Sequence, residues 1–273
     1  MNRYDKCYNK TEEISYKKEN LRLNHMILKV KRELIKYFDK ESAQIIYKAN
    51  SRTIFTTVII NLSLYNKKLQ EYIIKNVINR LSKESIINYY LIYLCNSQTK
   101  KDYTLINTII NSMKISGLVN DIIFDNEKNK FILITTDNKE IIFSCRNDTK
   151  EQINKANGHC HGVTYHILKN NQNNNLYAAT ILIDNLYGEK YYHSFIINNN
   201  IVNDYAHNII INFDDYKELY KPDIIFYADA KKVCKGIDKL KNKDKEFSDH
   251  NCELLNYAID KQLRKEQKRL IRK

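Results

Sequence analysis

The sequence predicts an α+β protein: a helical N-terminal region, then a cysteine-bearing helix packed on an antiparallel sheet, then a C-terminal helix. Three observations carry this reading. From about Leu21 to Gly117 apolar residues recur at helical spacing, as in Met26, Ile27, Val30, Leu34 and Ile35, and again in Ile73, Ile74, Val77, Ile78 and Leu81. After Gly117 the pattern changes to short segments rich in Ile and Phe, separated by polar turns. The chain closes on KQLRKEQKRLIRK, which is helical again and strongly basic. These boundaries divide the chain into a helical region over 1–118, an α+β core over 119–227 and a basic helical tail over 228–273.

Within the core, Asp121 to Phe124, Lys130 to Thr136 and Glu140 to Cys145 read as an antiparallel meander with DNEKN and DNK as its turns. A helix signal over Thr149 to Lys155 breaks at Asn157-Gly158, and a second helix runs from about Cys160 to Lys169. The polar run Asn170 to Asn175 is a loop. Strands follow over Leu176 to Leu186 and Lys190 to Ile197, with Gly188 in their connection. A third, Ile201 to Tyr205, is reached through Asn198-Asn199-Asn200. The helix Asp214 to Tyr220 stops at the lone proline, Pro222, because proline disfavours helical dihedrals in the residue before it. An apolar run, Ile224 to Tyr227, precedes the final helical stretch.

Composition narrows the function classes. With 273 residues, 43% of them hydrophobic, the chain can bury a real core, and one proline with five glycines excludes collagen-like and Pro/Gly-rich architectures. Lys and Arg number 45 against 32 Asp and Glu, a formal charge of +13 that suits an anionic partner. The excess is spread through a chain heavy in Lys, Asn, Ile and Tyr, which makes a basic protein without marking a basic site. No run of about 18 apolar residues and no apolar leader segment is present, so the expectation is a cytoplasmic protein without a membrane span. The cysteines Cys7, Cys95, Cys145, Cys160, Cys234 and Cys252 form no C-x-x-C pair and read as reduced thiols.

The chemistry concentrates in one stretch. His159, His161, His166, His193 and His207 fall there with Gly158, Gly162 and Gly188. If Cys160 lies in the first turn of its helix, Val163, Thr164, Ile167 and Leu168 share its face, so the thiol points toward the core from a helix N-terminus. Exposed N–H groups and the positive end of the helix dipole stabilise a thiolate there. A small buried hydrophobe is the bland reading of the same residue. In KYYHSFIINNNIVNDYAHN, a two-residue turn on Asn198-Asn199 sets His193 directly opposite Asp204, within reach of an imidazole–carboxylate hydrogen bond. A three-residue turn instead pairs His193 with Tyr205 and leaves Asn208 as the substitute partner. Taken singly, His193 reads as a half-buried strand histidine and Asp204 as a turn-side carboxylate. Together with Cys160 they have the order and register of a nucleophile, base and orienting acid. Tyr191 and Tyr192, just before His193, read as packing residues or as cleft lining.

The runs GHCHGVTYHIL, YYHSFI and IVNDYAHN resemble the Cys-His-Asp core of transglutaminase-like and papain-like cysteine enzymes, over 157–208, about a fifth of the chain. Ser194 and Phe195 follow the histidine as a small or hydroxyl residue and an aromatic often do there. The resemblance implies Cys160 as nucleophile, His193 as base and Asp204 as orienting acid. It also implies acyl transfer from an amide of a protein or peptide through a thioester, with no cofactor. Gln152 and the backbone N–H of Cys160 are the candidate oxyanion donors.

Three other readings stand beside it. The histidines with Cys160 and Asp204 supply ligand types for Zn²⁺, but no paired ligand motif is present, and His159 and His161 are expected to point away from Cys160. The tail from Lys261 to Lys273 reads as a solvated helix before a phosphate-contacting one, so nucleic acid is not the favoured partner. The N-terminal helices offer a docking surface for a protein partner, which would make the chain an interaction module. Cys95 and Cys145 sit in ordinary buried positions.

Overall fold

The computed structural model describes Arg32, Lys36, Gln44 and residues 67–76, 78–80, 82–146, 159–172, 175–184, 190–243 and 253–271. Most of the helical pattern before residue 67, the helix expected over 149–155 with Gln152, and Gly158, Gly188, Cys7 and Cys252 lie outside the described residues. The chain forms two compact units, residues 1–81 and 82–273. In the first, helix α1 (Lys67–Asn76) and a 3-10 turn (Ile78–Arg80) are described.

The second unit is α+β. Helices α2 (Lys83–Thr99) and α3 (Tyr103–Ile115) precede a meander of β1 (Asp121–Asp125), β2 (Lys130–Ile134) and β3 (Glu140–Cys145). Helix α4 (Cys160–Asn170) leads into β4 (Tyr177–Asp184), β5 (Lys190–Asn198), β6 (Ile201–Asp204) and β7 (Ile209–Asn212). Helix α5 (Phe213–Tyr220), strand β8 (Asp223–Asp229), α6 (Ala230–Lys243) and α7 (Glu253–Ile271) complete it. Eight strands form one sheet in the order β1-β2-β3-β7-β6-β5-β4-β8, and every pair is antiparallel. Helices α2 and α3 therefore belong with the sheet. Among the described residues no helix is long and apolar enough to cross a membrane.

Local chemistry explains the elements. The side chain of Ser82 caps α2 by accepting the Ser85 N–H, and Asn212 caps α5 by accepting that of Asp214. Alternation along β3 buries Ile141, Phe143 and Cys145 and leaves Glu140 and Ile142 exposed. One face of the sheet, under α2 and α5, carries the row Phe131, Phe143, Ile211, Val202 and Ile197, all buried. The other face packs Ala178, Ile196, Phe226 and Ala228 against Leu168 of α4, Val233 and Ile237 of α6, and Leu254, Tyr257 and Ala258 of α7. The C-terminal helix is thus held by its first turns, while residues 263–268 of its basic end are exposed.

Phe143 stacks on Phe131 with ring centroids 5.0 Å apart, remote in sequence from the histidine-rich stretch. Phe143→Ala removes a fully buried ring, and the expected cost is about 3–5 kcal/mol of stability, read as a fall in the urea midpoint. A midpoint within error of the parent would mean that this layer is not a stabilising core.

The hairpin register differs from the expected one. Its two-residue turn is Asn199-Asn200, both with positive φ (48° and 62°), as the hairpin turn matching strand twist requires. The ladder runs Asn198↔Ile201, Ile197↔Val202 and Ile196↔Asn203. Continued by one residue, it puts Asp204 across from Phe195, so His193 and Asp204 are not directly opposed. The run Asn198-Asn199-Asn200 accommodates either placement locally. What selects this one lies beyond the hairpin: the Asn200 carbonyl accepts the Phe213 N–H at 2.8 Å, and its side chain donates to Asp214 at 2.9 Å. Because the partners slip by two residues, no side chain changes face. Asp204 therefore remains on the same side as His193, as its diagonal neighbour.

Candidate active site

Helix α4 begins at Cys160 with no side-chain cap from His159, so the N–H groups of its first turn face outward from the helix end. Thr164 and Leu168 are buried, which anchors the face that also carries Cys160. Described β5–β6 pairing stops at Ile196↔Asn203, so His193 and Ser194 are laddered on the β4 side alone. The first turn of α4 meets β5 here. Cys160 lies beside His193, which points to the α2/α5 face, and His161 bonds Ser194, which points to the α4 face.

His193 and Asp204 are almost completely buried, 1% and 0% exposed. His193 Nε2 lies 2.6 Å from Asp204 Oδ2, which leaves Nδ1 for the thiol. Asp204 Oδ1 accepts the backbone N–H of His207 at 3.0 Å. The His207 ring stacks on His193 with centroids 4.1 Å apart, and its Nδ1 sits 3.0 Å from Asp204 Oδ2, off the angle of a hydrogen bond. Asn208, at φ 60°, ends the turn after Asp204 and donates to Thr99 Oγ1 at 2.9 Å and to the Cys95 carbonyl at 3.4 Å. Arg146 stacks on Tyr205 at 3.5 Å and donates to Asn203. The segment around Asp204 is thus held from both α2 and the residue that follows β3.

Electrostatics follow from this packing. Burial pushes the Cys160 thiol up, but the charge of His193 and hydrogen bonds from His161 and His193 outweigh it and bring the thiol down to about 5. Burial likewise disfavours charge on His193; the Asp204 carboxylate and the Cys160 thiolate overcome it and raise the imidazole to about 10. Burial opposes ionisation of Asp204 too, yet His193 and His207 hold it well below the usual carboxylate range. The opposite shifts of thiol and imidazole favour a thiolate beside an imidazolium. Burial, with Cys145 and Asp204 nearby, pushes the Cys95 thiol up instead, and Cys95, Cys145 and Cys234 are all buried. Among the described cysteines Cys160 alone combines partial exposure with a lowered thiol.

His193, Asp204 and His207 are the described residues whose donor atoms come together closely enough to suggest a metal, all within 4.8 Å of one another. A tetrahedral zinc with bonds of about 2.0 Å holds its ligand atoms about 3.3 Å apart. The 2.6 Å between His193 Nε2 and Asp204 Oδ2 is the spacing of a shared proton. His159 is exposed, and His166 turns outward to bond Asn170 at 3.0 Å.

His161 overturns an expectation. It does not point away from Cys160: its ring lies beside the Cys160 side chain and places Nδ1 2.8 Å from Ser194 Oγ, which in turn lies 2.6 Å from Thr180 Oγ1. Consecutive helix residues diverge, but β5 presents His193 to one and Ser194 to the other. The signal was the doublet itself, a histidine after the candidate nucleophile and a serine after the candidate base. Tyr191 packs edge-on to His193 at 6.4 Å and bonds Asn88 of α2, whereas Tyr192 faces the other side and bonds Gln262 of α7.

Comparison with protein-family models, curated proteins and solved structures finds no match to this chain.

Proposed function

We propose that the chain is a cysteine-dependent acyl-transfer enzyme of the transglutaminase-like or papain-like kind, acting on an amide in a protein or peptide. The observation that carries this reading is the line Cys160, His193, Asp204, with a depressed thiol at its open end and a buried carboxylate at its closed end. The Cys160 thiolate attacks the amide carbonyl carbon, forming a C–S bond while the π electrons move to oxygen. His193 gives its Nδ1 proton to the leaving nitrogen, the C–N bond breaks, and a thioester remains. His193 then takes a proton from water or an amine as that nucleophile attacks the thioester, and Cys160 leaves as thiolate. Asp204 keeps the other imidazole proton on Nε2 throughout and stabilises the cation. The helix-on-sheet arrangement of α4 against β5 and β4 supports a papain-like core.

A peptide library incubated with the chain and a primary amine, read by mass spectrometry, tests this. The expected products are cleaved or amine-substituted peptides with the parent and none with Cys160→Ala. Equal product from both would show that Cys160 is not the nucleophile.

A further inference from the structure

The acyl-transfer chemistry leaves one need unmet, a side chain to receive the negative oxygen of the tetrahedral intermediate. The hydroxyl chain beside the thiol supplies it. Thr180 and Ser194 are cross-strand partners on β4 and β5, 0% and 1% exposed, with their hydroxyls 2.6 Å apart. Among the described residues the Thr180 hydroxyl has no hydrogen-bond partner but Ser194, so its proton goes to Ser194 Oγ. The reverse polarity would strand a buried donor, at a cost of about 1–3 kcal/mol. Ser194 must then donate onward, and the acceptor is His161 Nδ1 at 2.8 Å. An imidazole that accepts at Nδ1 carries its proton on Nε2. The ring that the two hydroxyls hold in this tautomer belongs to the residue that follows Cys160 in the first turn of α4 and lies beside its side chain.

We propose that His161 is a second catalytic histidine, whose Nε2–H is the side-chain oxyanion donor for acyl transfer at Cys160. This rests on the reading of Cys160 as nucleophile. When sulfur bonds the carbonyl carbon, the carbonyl oxygen stands one bond from that carbon and beside the sulfur, close to the ring of His161, the next residue of the same helix turn. The Cys160 N–H, at the uncapped start of α4, is the second donor. Negative charge moves from sulfur to oxygen and back as the thioester forms, and His161 gives up no proton at any step. The relay belongs to two paired strands, so the donor is positioned before substrate arrives.

Two probes separate this role from simple activation of the thiol. Acylation of Cys160 by p-nitrophenyl acetate passes through an oxyanion and expels a leaving group that needs no proton. Alkylation by iodoacetamide displaces iodide at a saturated carbon and forms no oxyanion. The expected result at pH 7 is that His161→Leu lowers the ratio of acylation to alkylation about 10²–10³-fold, while His161→Gln, which keeps an N–H near the same place, retains most of it. Thr180→Val removes only the head of the relay and is expected to lower the ratio about tenfold. It serves as the independent variant should His161→Leu not fold. A ratio unchanged in His161→Leu, or in Thr180→Val if that is the folded variant, overturns the assignment. If the parent Cys160 is alkylated no faster than an ordinary thiol, the nucleophile reading itself fails.

Discussion

Asp204→Asn is expected to reduce acyl transfer by about 10⁴-fold while leaving the chain folded. Asp204 Oδ1 is held by the His207 N–H and Oδ2 faces His193 Nε2 at 2.6 Å. In the asparagine variant the backbone N–H still selects the amide oxygen, which turns the NH₂ group toward Nε2. His193 Nε2 must then accept, its proton moves to Nδ1, and the nitrogen facing Cys160 can no longer take the thiol proton. Asp204→Ala does more harm, because a buried imidazolium loses its counter-charge, and about 3–5 kcal/mol of stability is expected to go with it. The check is turnover of a peptide identified with the parent chain, together with urea unfolding of each variant. Turnover of Asp204→Asn within tenfold of the parent would mean that Asp204 does not orient the base.

Much of the fold was legible because its periodicities are clean. The alternation in Glu140 to Cys145 matches β3 residue for residue, and the stop at Pro222 matches the end of α5 at Tyr220, where Lys221 takes a left-handed backbone at φ 40°. Strand β7 was not legible. Ile209-Ile210-Ile211-Asn212 is a short apolar run between a turn and a helix, and such a run has no period of its own. Yet β7 is the strand that joins the meander to the hairpin, through Phe143↔Ile211 on one side and Val202↔Ile211 on the other. The joining of the two halves into one sheet is a long-range fact that no local window carries.

The candidate site is legible in its residue types and not in its register. Cys160, His193 and Asp204 were singled out by type, order and element. Their meeting was expected from a turn one residue early, and the geometry retains it because a slip of two partners preserves the face. The turn itself is set by Phe213 and Asp214, whose contacts with Asn200 come from a helix outside the hairpin. His161, Ser194 and Thr180 were missed as a group because their association depends on β4–β5 pairing together with the docking of α4. The position of His207 beside Asp204 depends on the turn at Tyr205 to Asn208, which the sequence pattern does not carry.

The pH dependence of iodoacetamide alkylation at each cysteine, in the parent chain and in His193→Ala, is the most direct test of the thiolate–imidazolium pair. An ordinary thiol titrates near 8.5, so at pH 6 under one in a hundred is thiolate. The lowered thiol of Cys160 ionises as pH rises through about 5, and Cys160 is therefore expected to react at close to its full rate at pH 6 while the buried Cys95, Cys145 and Cys234 do not. Removing His193 deletes the largest charge that opposes burial, so in the variant the midpoint is expected to move up by several pH units, toward or beyond that of an ordinary thiol. A parent midpoint near 8.5, or one that His193→Ala leaves in place, would contradict a Cys160–His193 pair and with it the acyl-transfer function.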